Sequence, residues 1–269
     1  MSSYVISGVS RGLGFEFLRQ LSVDPTNTVF GLVRSKAAVE AKVAAEIGRS
    51  NIHIIEADTT DPAALKKAAQ LVSSKTNGTL DYLIANAALQ AKTCLVGFDT
   101  LAQDPLALEA DLISHFRINT IGPIHLFNAF IPLILAGKTK KVIAISTGAA
   151  DTEMTLKPDM YQATAYSITK AALNMAVAKF SAVYRETGVL FMAICPGAVD
   201  TGSLQIATEE EGALAMAMFG KFKAYSPTFE GPAPVDAAAK SVLGLAYKAT
   251  VDGGYAGVFM SHTEKKPYL

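Results

Sequence analysis

Two side chains that can move protons stand four residues apart in Tyr166-Ser167-Ile168-Thr169-Lys170. The apolar residues that follow, Ala171, Ala172, Leu173, Met175, Ala176, Val177, Phe180 and Val183, continue a helical pattern. Residues at this spacing share a helix face and lie about 6 Å apart along its axis. At that separation and an effective dielectric of about 20, the ammonium favours the phenolate by roughly 3 kcal/mol, or about two pKa units. A phenol with an ordinary pKa near about 10 is thereby expected to move toward general acid–base range. An isolated YxxxK is more often a surface Tyr beside a Lys whose stem packs on it. The elements around the pair therefore decide its meaning.

A second constellation precedes it. Gly8-Val9-Ser10-Arg11-Gly12-Leu13-Gly14 lies between an apolar strand, Tyr4–Ser7, and a helical stretch, Phe15–Leu21. Glycines at such a junction permit a tight turn and let backbone N–H groups approach a pyrophosphate at the helix N-terminus. Gly8, Ser10, Arg11, Gly12, Leu13 and Gly14 form the candidate cradle, spaced GxxxGxG where the common dinucleotide fingerprint is GxGxxG. About twenty positions beyond the glycines, an acid would bond an adenosine ribose hydroxyl and repel a phosphate there. This chain has Arg34 at that place, Lys36 close by and Arg11 in the loop. Cations flanking the ribose favour NADP(H) over NAD(H).

The elements that must position these residues read as alternating short β-rich and longer helical runs. Strands are expected at Tyr4–Ser7, Thr28–Val33, Ile52–Ala57, Leu80–Ala85, Lys141–Ile145 and Val189–Cys195. Helices are expected at Phe15–Leu21, Ser35–Ile47, from Asp61-Pro62 to about Ser74, and from Pro105 to about Ala136 with Asn119 mid-way. This pattern predicts an α/β fold, a doubly wound parallel sheet in three α/β/α layers. With no repeat or linker, residues 1–269 read as a single Rossmann-type domain, with 202–234 as its least regular segment.

Composition narrows the classes further. Half the residues are hydrophobic, the formal net charge is zero and the sequence pI is about 6.9, which is no footprint for nucleic acid. Cys94 and Cys195 cannot build a disulfide framework, the start lacks a secretory pattern, and a cytoplasmic setting is expected. The nearest approach to a membrane span is the apolar run Ile124–Ala136, broken by His125, Asn128 and Pro132, so no membrane partner is expected. His53, His115, His125 and His262 have no metal-ligand spacing, so no metal is expected. Cys195 reads as a small strand hydrophobe, and Glu209-Glu210-Glu211 as a solvated helix start.

Taken with Asp58, Asn86-Ala87-Ala88, Asn119, Ile145-Ser146-Thr147 and Pro196-Gly197-Ala198-Val199-Asp200-Thr201, the glycine loop and the Tyr166/Lys170 pair resemble the short-chain dehydrogenases/reductases over essentially the whole chain. Within that family the sequence is most similar to fungal carbonyl reductases and polyketide ketoreductases of the C-factor and sepiapterin-reductase group. The resemblance implies that Asp58 bonds the adenine amino group and that Asn86, with Ala87, holds the fourth strand against the cofactor. It implies that Tyr166 protonates a carbonyl oxygen while Lys170 bonds the nicotinamide ribose and tunes the phenol. Asn119 would hold a water that reconnects Lys170 to solvent. Pro196, Gly197, Val199 and Thr201 would line the nicotinamide.

Two departures from the family pattern stand out. The hydroxyl that polarises the substrate oxygen falls at Thr147, preceded by Ser146, where the family has paired serines. Neighbouring strand residues face opposite ways, so Thr147 is expected in the pocket and Ser146 elsewhere. The stretch from Thr147 to Tyr166 is also longer than usual, which makes Asp151–Tyr161 an expected extra rim.

The expected activity is NADPH-dependent reduction of a carbonyl, a bulky or aromatic ketone, beneath a lid at 202–234. That lid carries Leu204, Ile206, Leu214, Met216, Met218 and Phe219. The competing class is a protein of this fold without redox turnover: a cofactor-sensing binder, or a cyclase or isomerase using the same pocket. Retention of Tyr166, Lys170 and Asn119 together weighs against a pure binder. The sequence leaves homodimer and homotetramer open.

Overall fold

The computed structural model describes residues 1–202 and 206–269. The six expected strands are present as β1 (Ser3–Ser7), β2 (Thr28–Val33), β3 (Ile52–Glu56), β4 (Tyr82–Ala85), β5 (Lys141–Ile145) and β6 (Leu190–Cys195). Two short stretches, β7 (Val199–Asp200) and β8 (Ala233–Pro234), pair apart from the main sheet. A last strand, β9 (Phe259–Ser261), joins β6 and completes a parallel sheet in the order β3-β2-β1-β4-β5-β6-β9. Neither β9 nor the helix before it was apparent in the sequence.

Both faces of the sheet are covered, which is why these strands read as apolar runs without alternation. Tyr4 and Ile6 of β1 face a layer made by α1 (Gly12–Leu21), α2 (Lys36–Glu46) and α10 (Val235–Lys248). Val5 faces the opposite layer, made by α3 (Pro62–Lys75), α6 (Gly122–Ala136) and α8 (Thr164–Tyr184). The remaining helices are α4 (Phe98–Leu101), α5 (Pro105–Phe116), α7 (Thr152–Leu156) and α9 (Glu209–Tyr225). α1 begins three residues earlier than its apolar pattern suggested, so the glycine loop itself forms the helix start.

The long helix expected from Pro105 to Ala136 is continuous in direction but widened into a π turn at Arg117–Ile121, around Asn119. As one span, Pro105–Ala136 is long and apolar enough to cross a bilayer, which the shorter run Ile124–Ala136 did not suggest. Half of that window is buried, and Leu126, Phe127, Phe130 and Ile134 lie fully inside the core. Packing against the sheet accounts for the apolar residues of α6, whereas Leu106, Ile113 and Ile121 of the same span are exposed.

Candidate active site

The strand order reverses between β1 and β4, so their following connections diverge and leave a crevice at the carboxyl ends of the strands. A cavity of about 1180 Å³ opens there. The glycine loop forms one end of it. Gly8 has φ +74, and a Cβ on it would lie 2.7 Å from the Cα of Ala87. A Cβ on Gly14 would overlap the carbonyl of Gly8 and fall 2.5 Å from the side-chain nitrogen of Asn86. Asn86 Nδ2 donates to the carbonyls of Ser7 at 3.1 Å and Gly8 at 3.0 Å. The main-chain N–H groups of Asn86 and Ala87 both donate to Ser7 Oγ at 3.1 Å. Asn86 thus pins the turn from β4, and glycine is required at Gly8 and Gly14 because the loop packs directly on Ala87, Asn86 and its own backbone.

Ser10, Arg11, Gly12 and Leu13 line the cavity, and α1 has no acid in its first turn to compete with an anion. Arg34, at the end of β2, lines the same region, and both guanidiniums are exposed. Lys36 does not join them: its ammonium turns to Glu40 at 3.5 Å, one helical turn on. Asp58 also lines the cavity, with Oδ1 accepting from Thr60 N at 2.8 Å and Thr60 Oγ1 at 2.9 Å. A loop whose Gly8 and Gly14 admit no Cβ, an open helix start, and two arginines and an aspartate lining one cavity fit an adenine dinucleotide.

The proton-handling residues sit further along the same cavity. Ala163 takes a left-handed conformation, φ 57, and starts α8 sharply, so that Tyr166 falls in its first turn, half-buried on the cavity wall. Lys170 follows one turn on and is buried, with Nζ donating to the carbonyl of Ile145 at 2.7 Å and 5.7 Å from the Tyr166 ring centre. The electrostatics differ from the sequence expectation. Burial pushes the Tyr166 phenol up, with smaller contributions from Cys94 and Cys195, and burial brings Lys170 down to about 8. Desolvation is the largest cause for Tyr166 and the one cause for Lys170, and it opposes the charged form of each.

Ser146 and Thr147 part as alternation requires. Ser146 is buried and donates to Asn174 Oδ1 of α8 at 2.7 Å. Thr147 is half-buried on the cavity wall, where Oγ1 accepts from Ala149 N at 3.3 Å. Asn119 is fully buried, and its amide is occupied: Oδ1 accepts from Leu89 N at 2.7 Å, while Nδ2 donates to Leu89 O and Thr169 Oγ1. Its side chain therefore ties α8 to the segment after β4, while the Lys170 ammonium bonds the carbonyl of Ile145.

Beyond β6, Pro196, Gly197, Val199 and Thr201 all line the cavity. Cys195 is more than a packed hydrophobe. Its Sγ accepts from Gly148 N at 3.0 Å and Gly197 N at 3.4 Å, and burial pushes the thiol up to about 11. The expected rim contributes Met154 and Met160, and α9 contributes Met218 and Phe219, with Ile206 just ahead of it. Leu214 does not reach the cavity and Met216 is exposed, while Leu204 lies outside the described residues. Thr208 caps the start of α9 by accepting from Glu211 N, and Glu211 pairs with Lys92 at 2.7 Å. Gln90, Phe222, Tyr268 and Leu269 also line the cavity and were missed. Phe222 continues the Met218–Phe219 spacing and was findable, whereas nothing local in the sequence places Tyr268 here.

A parallel sheet of this order, a glycine loop at its switch point and a Tyr–Lys pair on the cavity wall define a nicotinamide-dependent oxidoreductase. The family model described as short chain dehydrogenase matches residues 3–212, and the chain belongs to that family. It is 50% identical over 271 residues to the short chain dehydrogenase virK of Hypocrea virens, covering 100% of each chain. It is 43% identical over 273 residues to the short-chain dehydrogenase/reductase iacC of Pestalotiopsis fici, again covering 100% of each. Among solved structures, an NADPH-bound carbonyl reductase from chicken fatty liver superposes with a TM-score of 0.76 at 25% identity, covering 98% of each chain.

Proposed function

We propose that this protein reduces the carbonyl of a bulky, apolar or aromatic ketone to an alcohol with NADPH. The observation that carries the reading is the meeting of Tyr166, Lys170 and the hydroxyl of Thr147 in one cavity with the glycine cradle. Gly8, Ser10, Arg11, Gly12, Leu13 and Gly14 would hold the pyrophosphate, with Asp58 toward the adenine. Arg11 and Arg34 would bond a ribose phosphate, which supports NADPH over NADH. Asn86, Ala87, Pro196, Gly197, Val199 and Thr201 would shape the nicotinamide end. When bound, the nicotinamide supplies the hydride.

Tyr166 then acts as the acid. A phenol raised by burial stays protonated at neutral pH, so it can donate as negative charge develops on the oxygen. Thr147 Oγ1 aims a second donor at the same charge. Lys170 holds its proton next to Tyr166 and relays it to replace the one donated. Asn119, whose side chain is engaged, serves through the widened turn it occupies. Met154, Met160, Met218, Phe219 and Phe222 make an apolar roof suited to a ring system, with 202–234 as the lid.

The test is loss of NADPH absorbance with a panel of diketones and aromatic ketones. Turnover should be seen with the parent and fall by roughly 10²–10⁴ in Tyr166→Phe, with NADPH affinity kept. Tight NADPH binding without turnover of any ketone would assign the cavity to a binding role.

A further inference from the structure

After β9 the chain turns back across the carboxyl ends of the strands, and Tyr268 lodges against the two that carry the chemistry. Its ring stacks on Phe259 with centres 5.1 Å apart and planes at 13°. A Cβ on Gly148, next to Thr147, would overlap the Tyr268 side chain. The main-chain carbonyl of Tyr268 accepts from Cys195 Sγ at 3.5 Å, one residue before Pro196. Tyr268 is buried, yet it forms part of the cavity wall.

One carboxylate joins this segment to the facing rim. Asp151 Oδ1 caps α7 by accepting from Glu153 N at 2.8 Å. Its Oδ2 accepts from the Tyr268 hydroxyl at 2.7 Å and pairs with Lys266 Nζ at 2.9 Å. Lys266 also pairs with Glu153. The rim bearing Met154 and the segment bearing Tyr268 are thereby one wall with a fixed spacing.

We propose that Tyr268 is a specificity-determining residue that sets the depth of the substrate pocket, and that Asp151, through its ion pair with Lys266 and its cap on α7, is the positioning residue that holds this wall in place. The proposal rests on the reading that a ketone occupies this cavity. Removing the ring would merge its volume with the pocket and admit a longer fused-ring ketone. Removing only the hydroxyl would leave the ring seated by Phe259 and Gly148. Neutralising Asp151 would loosen the wall without emptying it.

The test is made in the Tyr166→Phe background with NADPH bound, where ketone affinity is read by titration of cofactor fluorescence and needs no turnover. Aromatic ketones with one, two and three fused rings are the probes. Tyr268→Ala should raise the affinity for the three-ring ketone relative to the one-ring ketone by about tenfold or more. Tyr268→Phe should keep the parent ratio, Asp151→Asn should shift it part of the way toward that of Tyr268→Ala, and NADPH affinity should be unchanged in all three. An unchanged ratio in Tyr268→Ala, absence of ketone binding throughout, or loss of NADPH binding overturns the assignment. An equal shift in Tyr268→Phe overturns the ring's part, and no shift in Asp151→Asn overturns the positioning part. Failure of the parent to reduce ketones would refute the reductase reading and leave this ratio measurable.

Discussion

Lys170 should make the ligand-free protein more stable as the pH rises, and the size of the effect follows from its burial. Its side chain is 1% exposed and has one main-chain acceptor, Ile145 O at 2.7 Å. Burial brings its pKa from the ordinary 10.5 to about 8. At neutral pH the ammonium is charged in both states, and holding it inside costs about 3 kcal/mol. Between about pH 8 and about pH 10.5 the folded state releases the proton while the unfolded chain keeps it. The unfolded state then binds more protons, so stability rises with pH across that window and levels off above it. Lys170→Met keeps the length and removes the charge, so subtracting its urea-unfolding free energy from that of the parent cancels other titrations. The parent should be about 3 kcal/mol less favoured relative to the variant near pH 7 than near about pH 10.5. A difference that stays flat over this range would refute the argument, because it would mean that Lys170 keeps enough water to retain an ordinary pKa.

Further outcomes follow from the same geometry. NADPH should bind at least about tenfold tighter than NADH, and Arg34→Asp should abolish or reverse that preference in competitive titrations. Gly14→Ala should remove cofactor binding in calorimetry, since the added methyl overlaps the carbonyl of Gly8. Thr147→Val should lower kcat by roughly 10²–10³ while Thr147→Ser retains activity. Ser146→Ala, which loses the bond to Asn174, should leave kcat near that of the parent and cost about 1 kcal/mol in unfolding free energy. The reverse pattern of kcat values would make Ser146 the catalytic hydroxyl.

The sequence by itself determined the six strands from β1 to β6, the glycine turn, the start of α8 and the parting of Ser146 from Thr147. Each depends on local steric rules: apolar runs of strand length, residues that permit tight turns, and the alternation of a pleated strand. It also placed Arg11 and Arg34 in the cavity lining, because in a parallel βαβ unit the loop after the first strand and the end of the second lie at the same edge of the sheet. What only the tertiary structure decided depends on partners far along the chain. Asn119 spends its amide on Leu89 and Thr169, and Lys36 turns to Glu40 instead of the cavity. β9 is three residues long and is a strand because β6 offers it an edge, so its own sequence carries little signal. Tyr268 reaches the pocket through contacts with Gly148, Asp151 and Cys195, more than seventy residues away. The electrostatics of Tyr166 and Lys170 changed sign for the same reason: spacing along a helix fixes their attraction, but only the packed molecule fixes how much water each one loses, and here that loss is the largest cause of both shifts.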